Sequence, residues 1–407
     1  MASPRILLAG GGTGGHLYPA LNLAAAFGQL APEVECVFLG GRRGLEARVL
    51  PDAGYEFRLL PLQPLYRQRP WRNWRLFASV PAVLAGVRRA FRDFDPRLVV
   101  GTGGYVAGPA LAGARLHRVP AAIQEQNAAP GLVTRLFAPA VDQIHLGYPE
   151  AEARLRFGGR TRLSALGNPV APGPPIAPGP AVGSGPPVGS DPRGAPEPSR
   201  SPGPNGSPGP APARFDWPAG RNLLVFGGSQ GALGLNRAFL RDLEWAARDG
   251  SAWPDGVSVV WIAGPAHAAE LAARASELPF SERVRVVSYI DDLGRQLDGV
   301  TLALCRSGAM SLAELCAAGR PAVLVPLPTS AGGHQLTNAR ALAGAGAAEV
   351  REEGRLEPGE LWSLCRDILT DDGRLARMSG AAASRGRPDA ALDIARDMLT
   401  LLDRGAA

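Results

Sequence analysis

An apolar run that passes at once into a glycine-rich turn and then a helical pattern occurs twice in this chain, once in each half. The first is ILLA followed by GGGTGGH at 6–16, and the second is LLVF followed by GGSQGA at 223–232. A buried strand that turns sharply into a helix is the opening unit of a βαβ crossover, so its repetition points to parallel sheets rather than hairpins. Glycines at such a turn let backbone N–H groups approach an anion at the helix N-terminus. Neither loop carries GK[ST], which excludes a P-loop. Strand–helix packing explains one such loop as readily as a ligand does. Two, one per half, favour a ligand between them.

The rest of the pattern extends this reading. Short apolar runs at 6–9, 34–39, 98–100, 121–123, 143–145 and 162–166 read as strands in the first half. Runs at 222–226, 258–262, 285–288, 301–304 and 322–325 do so in the second. Amphipathic helical stretches such as 17–30, 233–248 and 310–318 separate them. Residues 172–213 hold 15 Pro and 9 Gly and almost no large apolar side chain. Such a stretch cannot bury enough surface to offset its ordering entropy. The expected fold class is therefore α/β, with two Rossmann-like domains facing across a cleft. The expected domains are 1–170, a disordered Pro/Gly-rich linker or insert at 171–214, a second domain at 215–385, and a C-terminal helix at 386–407 that could pack back on the first domain.

Composition narrows the setting. No run of about 18 apolar residues exists, so a transmembrane helix is not expected. The N-terminus lacks the longer apolar core and cleavage site of a signal peptide. The four cysteines show no CxxC or zinc spacing, which argues against a disulfide framework and for a cytoplasmic chain. Net charge is +6, and all 43 basic residues are Arg. A mildly basic balance suits an anionic partner such as a nucleotide, a phosphate or an anionic membrane. It is too diffuse for nucleic acid, and no nucleic-acid motif is present.

GGTGGH at 11–16 with Pro19 resembles the N-terminal signature of the bacterial peptidoglycan N-acetylglucosaminyltransferases (MurG type), which convert lipid I to lipid II. Further segments resemble that family in the same order: GGYVAGP at 103–109, EQN at 125–127, GNPV at 167–170, GGSQGA at 227–232, IDD at 290–292, CRSGAMSLAE at 305–314, and PAVLVP with HQLTNA at 321–326 and 334–339. The resemblance spans nearly the whole chain outside the Pro-rich stretch. It implies a GT-B fold and inverting transfer of GlcNAc from UDP-GlcNAc to the MurNAc O4 of undecaprenyl-pyrophosphoryl-MurNAc-pentapeptide. It also implies a role in peptidoglycan synthesis, cell shape and division, with cell-wall synthesis and division proteins as candidate partners. No cofactor and no metal are implied.

Residue types fit that chemistry. A nucleotide-sugar donor leaves as a diphosphate, and cationic or dipolar groups must meet the developing charge. The sequence shows no His/Asp ligand cluster, so helix N-termini and side-chain donors are expected in that role. The resemblance assigns Ser229 to the donor, and the same serine could serve as a helix N-cap. Glu314 can accept hydrogen bonds from both ribose hydroxyls. By the resemblance Ala309 and Met310 line the nucleoside, Ile290 offers backbone groups to uracil, and Gln335, flanked by His334 and Asn338, reads the GlcNAc hydroxyls. His16 is a candidate general base for the acceptor hydroxyl, with Glu125 as its rival. Thr13, Gly14, Gly15 and Asn127 are assigned to binding. Two positions depart from the family pattern. Gln124 stands where the family usually reads HEQN, and Ala171 stands where an Arg usually meets the diphosphate; Arg306 is a candidate to replace it.

Residues 65–92, LYRQRPWRNWRLFASVPAVLAGVRRAFR, place Trp71, Trp74 and Phe77 beside Arg72 and Arg75. Aromatics among arginines suit an anionic membrane interface, which would put the chain peripherally on the cytoplasmic face of the membrane. Another GT-B UDP-sugar:lipid transferase is the nearest alternative, against which the GGTGGH and GGYVAGP pair speaks. A non-catalytic UDP-sugar-binding protein is favoured only by Ala171, and a Rossmann oxidoreductase is a third, disfavoured option.

Overall fold

The structure, a computed structural model, describes residues 3–62, 74–171, 214–227, 232–250 and 252–404, without the side chains of 74–78, 331 and 403–404. The expected linker or insert, Ser229, Trp71 and Arg72 lie outside the described residues, as do the side chains of Trp74, Arg75 and Phe77.

The first sheet has seven strands: β1 (Arg5–Gly10), β2 (Glu35–Gly41), β3 (Glu56–Leu60), β4 (Pro96–Gly103), β5 (Ala121–Glu125), β6 (Gln143–Leu146) and β7 (Arg162–Ser164). Their order is β3-β2-β1-β4-β5-β6-β7, and every pairing is parallel. The helices of this half are α1 (Gly14–Leu30), α2 (Glu46–Val49), α3 (Trp74–Phe94), α4 (Gly104–His117) and α5 (Leu132–Phe137). The second sheet runs β10-β9-β8-β11-β12-β13, again all parallel. Its strands are β8 (Arg221–Phe226), β9 (Val257–Ile262), β10 (Val284–Val287), β11 (Leu302–Cys305), β12 (Ala322–Leu324) and β13 (Ala348–Val350). Its helices are α6 (Leu233–Asp249), α7 (Ala268–Ser276), α8 (Ala309–Ala317), α9 (His334–Gly344), α10 (Glu360–Thr370) and α11 (Asp372–Arg385). Helix α12 (Ala390–Arg404) closes the chain.

Both sheets are doubly wound, and each reverses direction beside its first strand: between β1 and β4, and between β8 and β11. Ligands bind outside the carboxyl ends of the strands at such a switch point. Each glycine-rich loop leaves the first strand of its sheet at that point. The sheets are buried on both faces, which is why their central strands are near-continuous apolar runs. Two strands escaped the sequence pattern, β3 (EFRLL) and β13 (AEV). Both lie at sheet edges and are partly exposed, so their apolar content is low.

Helix α12 packs on the first sheet, not the second. Ala391, Ile394, Ala395 and Met398 share a core cluster with Ile6, Leu8, Leu17 and Phe27. Asp397 on the same helix pairs with Arg162, and its carbonyl accepts from Gln143 Nε2 at 3.1 Å. The last helix thus straps the two halves together.

Candidate active site

His16 sits in the first turn of α1, which starts directly after the first glycine loop. Its Nδ1 lies 3.1 Å from Gln126 Oε1 and 3.2 Å from the Thr102 carbonyl. The imidazole rests on Gly103 and Gly104, where β4 turns into α4. A Cβ on Gly103 would stand 2.6 Å from Nδ1, and one on Gly104 would stand 2.2 Å from the Gly11 carbonyl. Both residues also have positive φ, +103° and +74°. Only glycine meets both demands, so GGYVAGP contributes the floor on which the histidine lies.

A residue the sequence reading passed over holds the loop itself. Glu46 of α2 is fully buried, and its carboxylate accepts from the Gly12 and Gly41 N–H groups, each at 2.8 Å. A lone glutamate in a polar stretch gives no pattern signal; only the tertiary fold shows it filling the hollow lined by Gly11, Gly40 and Gly44. Thr13 occupies the N-cap position of α1, exposed and with extended backbone, but its hydroxyl does not cap the helix. The first N–H groups of the helix, those of Gly14 and Gly15, therefore face the cleft without a side-chain cap.

Glu125 ends β5 and is buried. Its Oε1 accepts from Asn127 N (3.1 Å) and Asn127 Nδ2 (3.2 Å), and its Oε2 from Gly131 N (2.9 Å) and Thr134 Oγ1 (2.5 Å). The carboxylate is saturated by its own loop. Asn127 is half-buried and reaches the other half of the molecule: Asn338 Nδ2 donates to its Oδ1 at 3.2 Å, and Ala128 N donates to Asn338 Oδ1 at 2.9 Å.

Across the cleft, α8 meets α1. Ala309 and Met310 form the first turn of α8 and are half-buried, and Ile290 is buried in the loop after β10. Glu314, in the second turn of α8, lies against Gly294. It is half-buried, and among the described residues it accepts no hydrogen bond and joins no ion pair. Burial, aided by the nearby Asp292 carboxylate, pushes its pKa up from the ordinary 4.5 to about 7. Gln335 opens α9 with its Oε1 accepting from Leu327 N at 2.8 Å, which leaves the NH2 group and a second lone pair on the oxygen for a ligand.

Arg306, the candidate for the lost diphosphate contact, is committed elsewhere. It is buried, paired with Glu353 at 2.6 Å, and donates to the Val325 and Pro326 carbonyls. The structure thus gathers His16, Thr13, Glu125 and Asn127 on one side and Ile290, Ala309, Met310, Glu314 and Gln335 on the other.

Comparison with known proteins identifies the family and the fold. Residues 6–146 match the glycosyltransferase family 28 N-terminal domain, and residues 222–394 match the family 28 C-terminal domain. The UDP-N-acetylglucosamine–N-acetylmuramyl-(pentapeptide) pyrophosphoryl-undecaprenol N-acetylglucosamine transferase of Salinibacter ruber is 40% identical over 403 residues, 99% of this chain and 98% of that one. The transferase of the same name from Chlorobaculum parvum is 37% identical over 98% of this chain and 99% of its own. Among solved structures, the crystal structure of Acinetobacter baumannii MurG superposes with a TM-score of 0.70 at 21% identity, covering 98% of this chain and 99% of that one. CalG4, a calicheamicin glycosyltransferase, reaches a TM-score of 0.62 at 20% identity, covering all of both chains. The two-domain fold is thus that of the GT-B enzymes, and the chain belongs to glycosyltransferase family 28, among the UDP-N-acetylglucosamine–N-acetylmuramyl-(pentapeptide) pyrophosphoryl-undecaprenol N-acetylglucosamine transferases.

Proposed function

We infer that this enzyme transfers GlcNAc from UDP-GlcNAc to lipid I, undecaprenyl-pyrophosphoryl-MurNAc-pentapeptide, and so forms lipid II for peptidoglycan. The observation that carries the reading is identity of 40% over nearly the whole chain to a relative whose name states that transfer.

Each half has a part in the mechanism. The acceptor side is the first domain, where the MurNAc O4 must lose a proton as it attacks. His16 takes that proton, because its Nδ1 faces two carbonyl oxygens and must itself carry hydrogen; Nε2 is then the basic nitrogen. Glu125 does not compete, since four donors already occupy its oxygens. It holds Asn127 and the start of α5 in place. Thr13, Gly14 and Gly15 present the N-terminus of α1 to the acceptor. On the donor side, the second glycine loop with Ser229 receives the diphosphate. Ile290, Ala309 and Met310 flank the nucleoside, Glu314 accepts from the ribose hydroxyls, and the Gln335 NH2 meets the sugar. A single displacement by O4 at the anomeric carbon expels UDP and inverts the configuration.

The acceptor lipid calls for contact with a bilayer. No helix among the described residues is long and apolar enough to cross one. Residues 71–77 supply Trp71, Arg72, Trp74, Arg75 and Phe77. Val80 and Leu84 of α3, Leu116 of α4, and Leu132 and Leu136 of α5 are exposed on three successive helices that pack together. Arg88, Arg89, Arg115 and Arg135 are exposed on the same helices. Apolar bulk set among arginines suits peripheral attachment to an anionic cytoplasmic membrane face, where cell-wall synthesis and division proteins would be encountered.

The test is transfer of radiolabel from UDP-GlcNAc to a lipid I analogue in anionic vesicles. Product that persists in EDTA and is lost with UDP-glucose supports the reading. Absence of product, or equal turnover of UDP-glucose, overturns it.

A further inference from the structure

His16 does not stand alone. Behind it lies a row of buried amides, Gln126, Gln124 and Asn168, which are 1%, 0% and 3% exposed. Their hydrogen bonds fix one orientation for each. One end of the Gln126 amide sits among three acceptors: the Thr102 carbonyl at 2.8 Å, the Gln124 carbonyl at 3.0 Å, and Gln124 Oε1. That end must be the NH2 group, so the end facing His16 Nδ1 is the carbonyl oxygen. Gln124 in turn accepts with Oε1 and donates with Nε2 to Asn168 Oδ1 at 3.1 Å. Asn168 Nδ2 donates to the Gln126 backbone carbonyl at 3.0 Å and to the Ala309 carbonyl at 3.5 Å, on the first turn of the helix that bears Glu314. No amide in the row can flip without burying a donor against a donor or an acceptor against an acceptor, at a cost of about 1–3 kcal/mol each.

We propose that Gln126 is a positioning residue for the transfer reaction: its side-chain carbonyl holds the proton on Nδ1 of His16, keeps Nε2 as the basic nitrogen, and fixes the ring over Gly103 and Gly104. Gln124 and Asn168 set the orientation of Gln126. The function rests on the assignment of His16 as the base, but the tautomer itself does not. An amide suits the position better than a carboxylate would. It accepts from Nδ1 without adding a charge, and none of the three amides titrates, so His16 is the only titratable member of the row. Other titratable groups on elements packed around it are Tyr18 on α1, Glu46 on α2, Tyr105 on α4, Glu125 on β5 and Glu314 on α8. Glu46 is taken up by hydrogen bonds from Gly12 N and Gly41 N, and Glu125 by those from its own loop.

The experiment has one reading without turnover and one with it. In protein labelled with 15N-imidazole, with the His16 signals assigned by loss in His16→Gln, neutral His16 is expected to be protonated at Nδ1 and bare at Nε2. In Gln126→Met the population is expected to move toward the Nε2-protonated form, with the Thr102 carbonyl retaining part of it. A bare Nδ1 in the wild type, or tautomer populations unchanged in Gln126→Met, overturns the proposal whether or not His16 is the base. In turnover, Gln126→Met is expected to lower kcat by about tenfold or more with the KM for UDP-GlcNAc within about threefold. Gln126→Glu keeps an acceptor for Nδ1 but sets its second oxygen against the Thr102 and Gln124 carbonyls, so it is read by its pH profile rather than by its rate. Its acid limb should move up by about one pH unit, because a carboxyl group beside Nδ1 favours the imidazolium. An acid limb unmoved in Gln126→Glu would mark Gln126 as structural only. Full activity in His16→Ala would instead sink the base assignment and leave the tautomer result standing.

Discussion

Two glutamates border the cleft, and their chains have treated them in opposite ways. Glu125, at the end of a central strand of the first sheet, has both oxygens filled by donors from its own loop. Glu314, on the facing helix of the second sheet, has no hydrogen bond among the described residues and a carboxyl pushed up to about 7. A carboxylate satisfied within the fold has its lone pairs spent on structure. One that is desolvated and unpaired costs stability, and such a cost persists where a ligand recovers it. The contrast separates a carboxylate that the fold satisfies from one that it leaves open, as the proposed ribose contact requires.

The largest expected effect tests whether Glu125 has been placed correctly beside His16. His16→Ala is expected to lower kcat by roughly two to four orders of magnitude. Glu125→Gln should lower kcat by less than about tenfold while lowering the melting temperature, because its NH2 would face the Gly131 N–H and cost about 1–3 kcal/mol. Steady-state kinetics beside thermal melts of both variants decide it. A thousandfold loss in Glu125→Gln with an unchanged melt would reverse the two roles.

The donor-side glutamate should behave differently. Glu314→Ala is expected to raise the KM for UDP-GlcNAc by about tenfold or more and to change kcat little, since ribose is held equally in the ground and transition states. A fall in kcat at constant KM would count against ribose binding. A smaller effect sharpens the same point without mutation. Ribose hydroxyls donate to the ionised carboxylate, so the Kd for UDP should fall as pH rises through about 7, the value to which burial lifts Glu314. Titration of UDP binding between pH 6 and 8, repeated with Glu314→Gln, should show a slope in the wild type and none in the variant.

Much of this arrangement was legible in the sequence, and the limits follow from physics. Central parallel strands are apolar throughout, so β1, β4, β5, β8, β9 and β11 stood out, whereas the edge strands β3 and β13 did not. The glycine loops were legible because backbone geometry restricts their composition. Glu46 was not, since a buried carboxylate is defined by the N–H groups around it, and one of them, that of Gly12, lies 34 residues away in sequence. The rivalry of His16 and Glu125 could not be resolved from residue type either. It turns on which oxygens are already occupied, and Thr134 and Gly131 carry no sequence mark of that role. Gln124 is the converse case. The departure from the family's HEQN weakens the case for a role at that position, yet its amide is a link in the row behind His16.

The smallest expected effect concerns stability, and its sign follows from the same unpaired carboxyl. With a folded pKa near 7 against an ordinary 4.5, Glu314 binds its proton more tightly in the folded chain than in the unfolded one. Below pH 4.5 both states hold the proton and the group costs nothing. As pH rises from 4.5 to 7 the unfolded chain releases the proton first, so stability falls, and above 7 the loss is complete and constant. The full shift would correspond to about 3 kcal/mol. Because the side chain is only half-buried, solvent screening reduces this to about 1 kcal/mol. Glu314→Gln removes the charge at similar shape. Without UDP it is expected to melt about 2–4 °C above the wild type at pH 8 and level with it at pH 4.5. Saturating UDP should narrow the gap at pH 8, because the ribose hydroxyls recover the carboxylate in the wild type alone. A wild type that matches or exceeds Glu314→Gln at pH 8 without ligand would mean that the carboxylate is already satisfied in the empty cleft, and the contrast with Glu125 would fail.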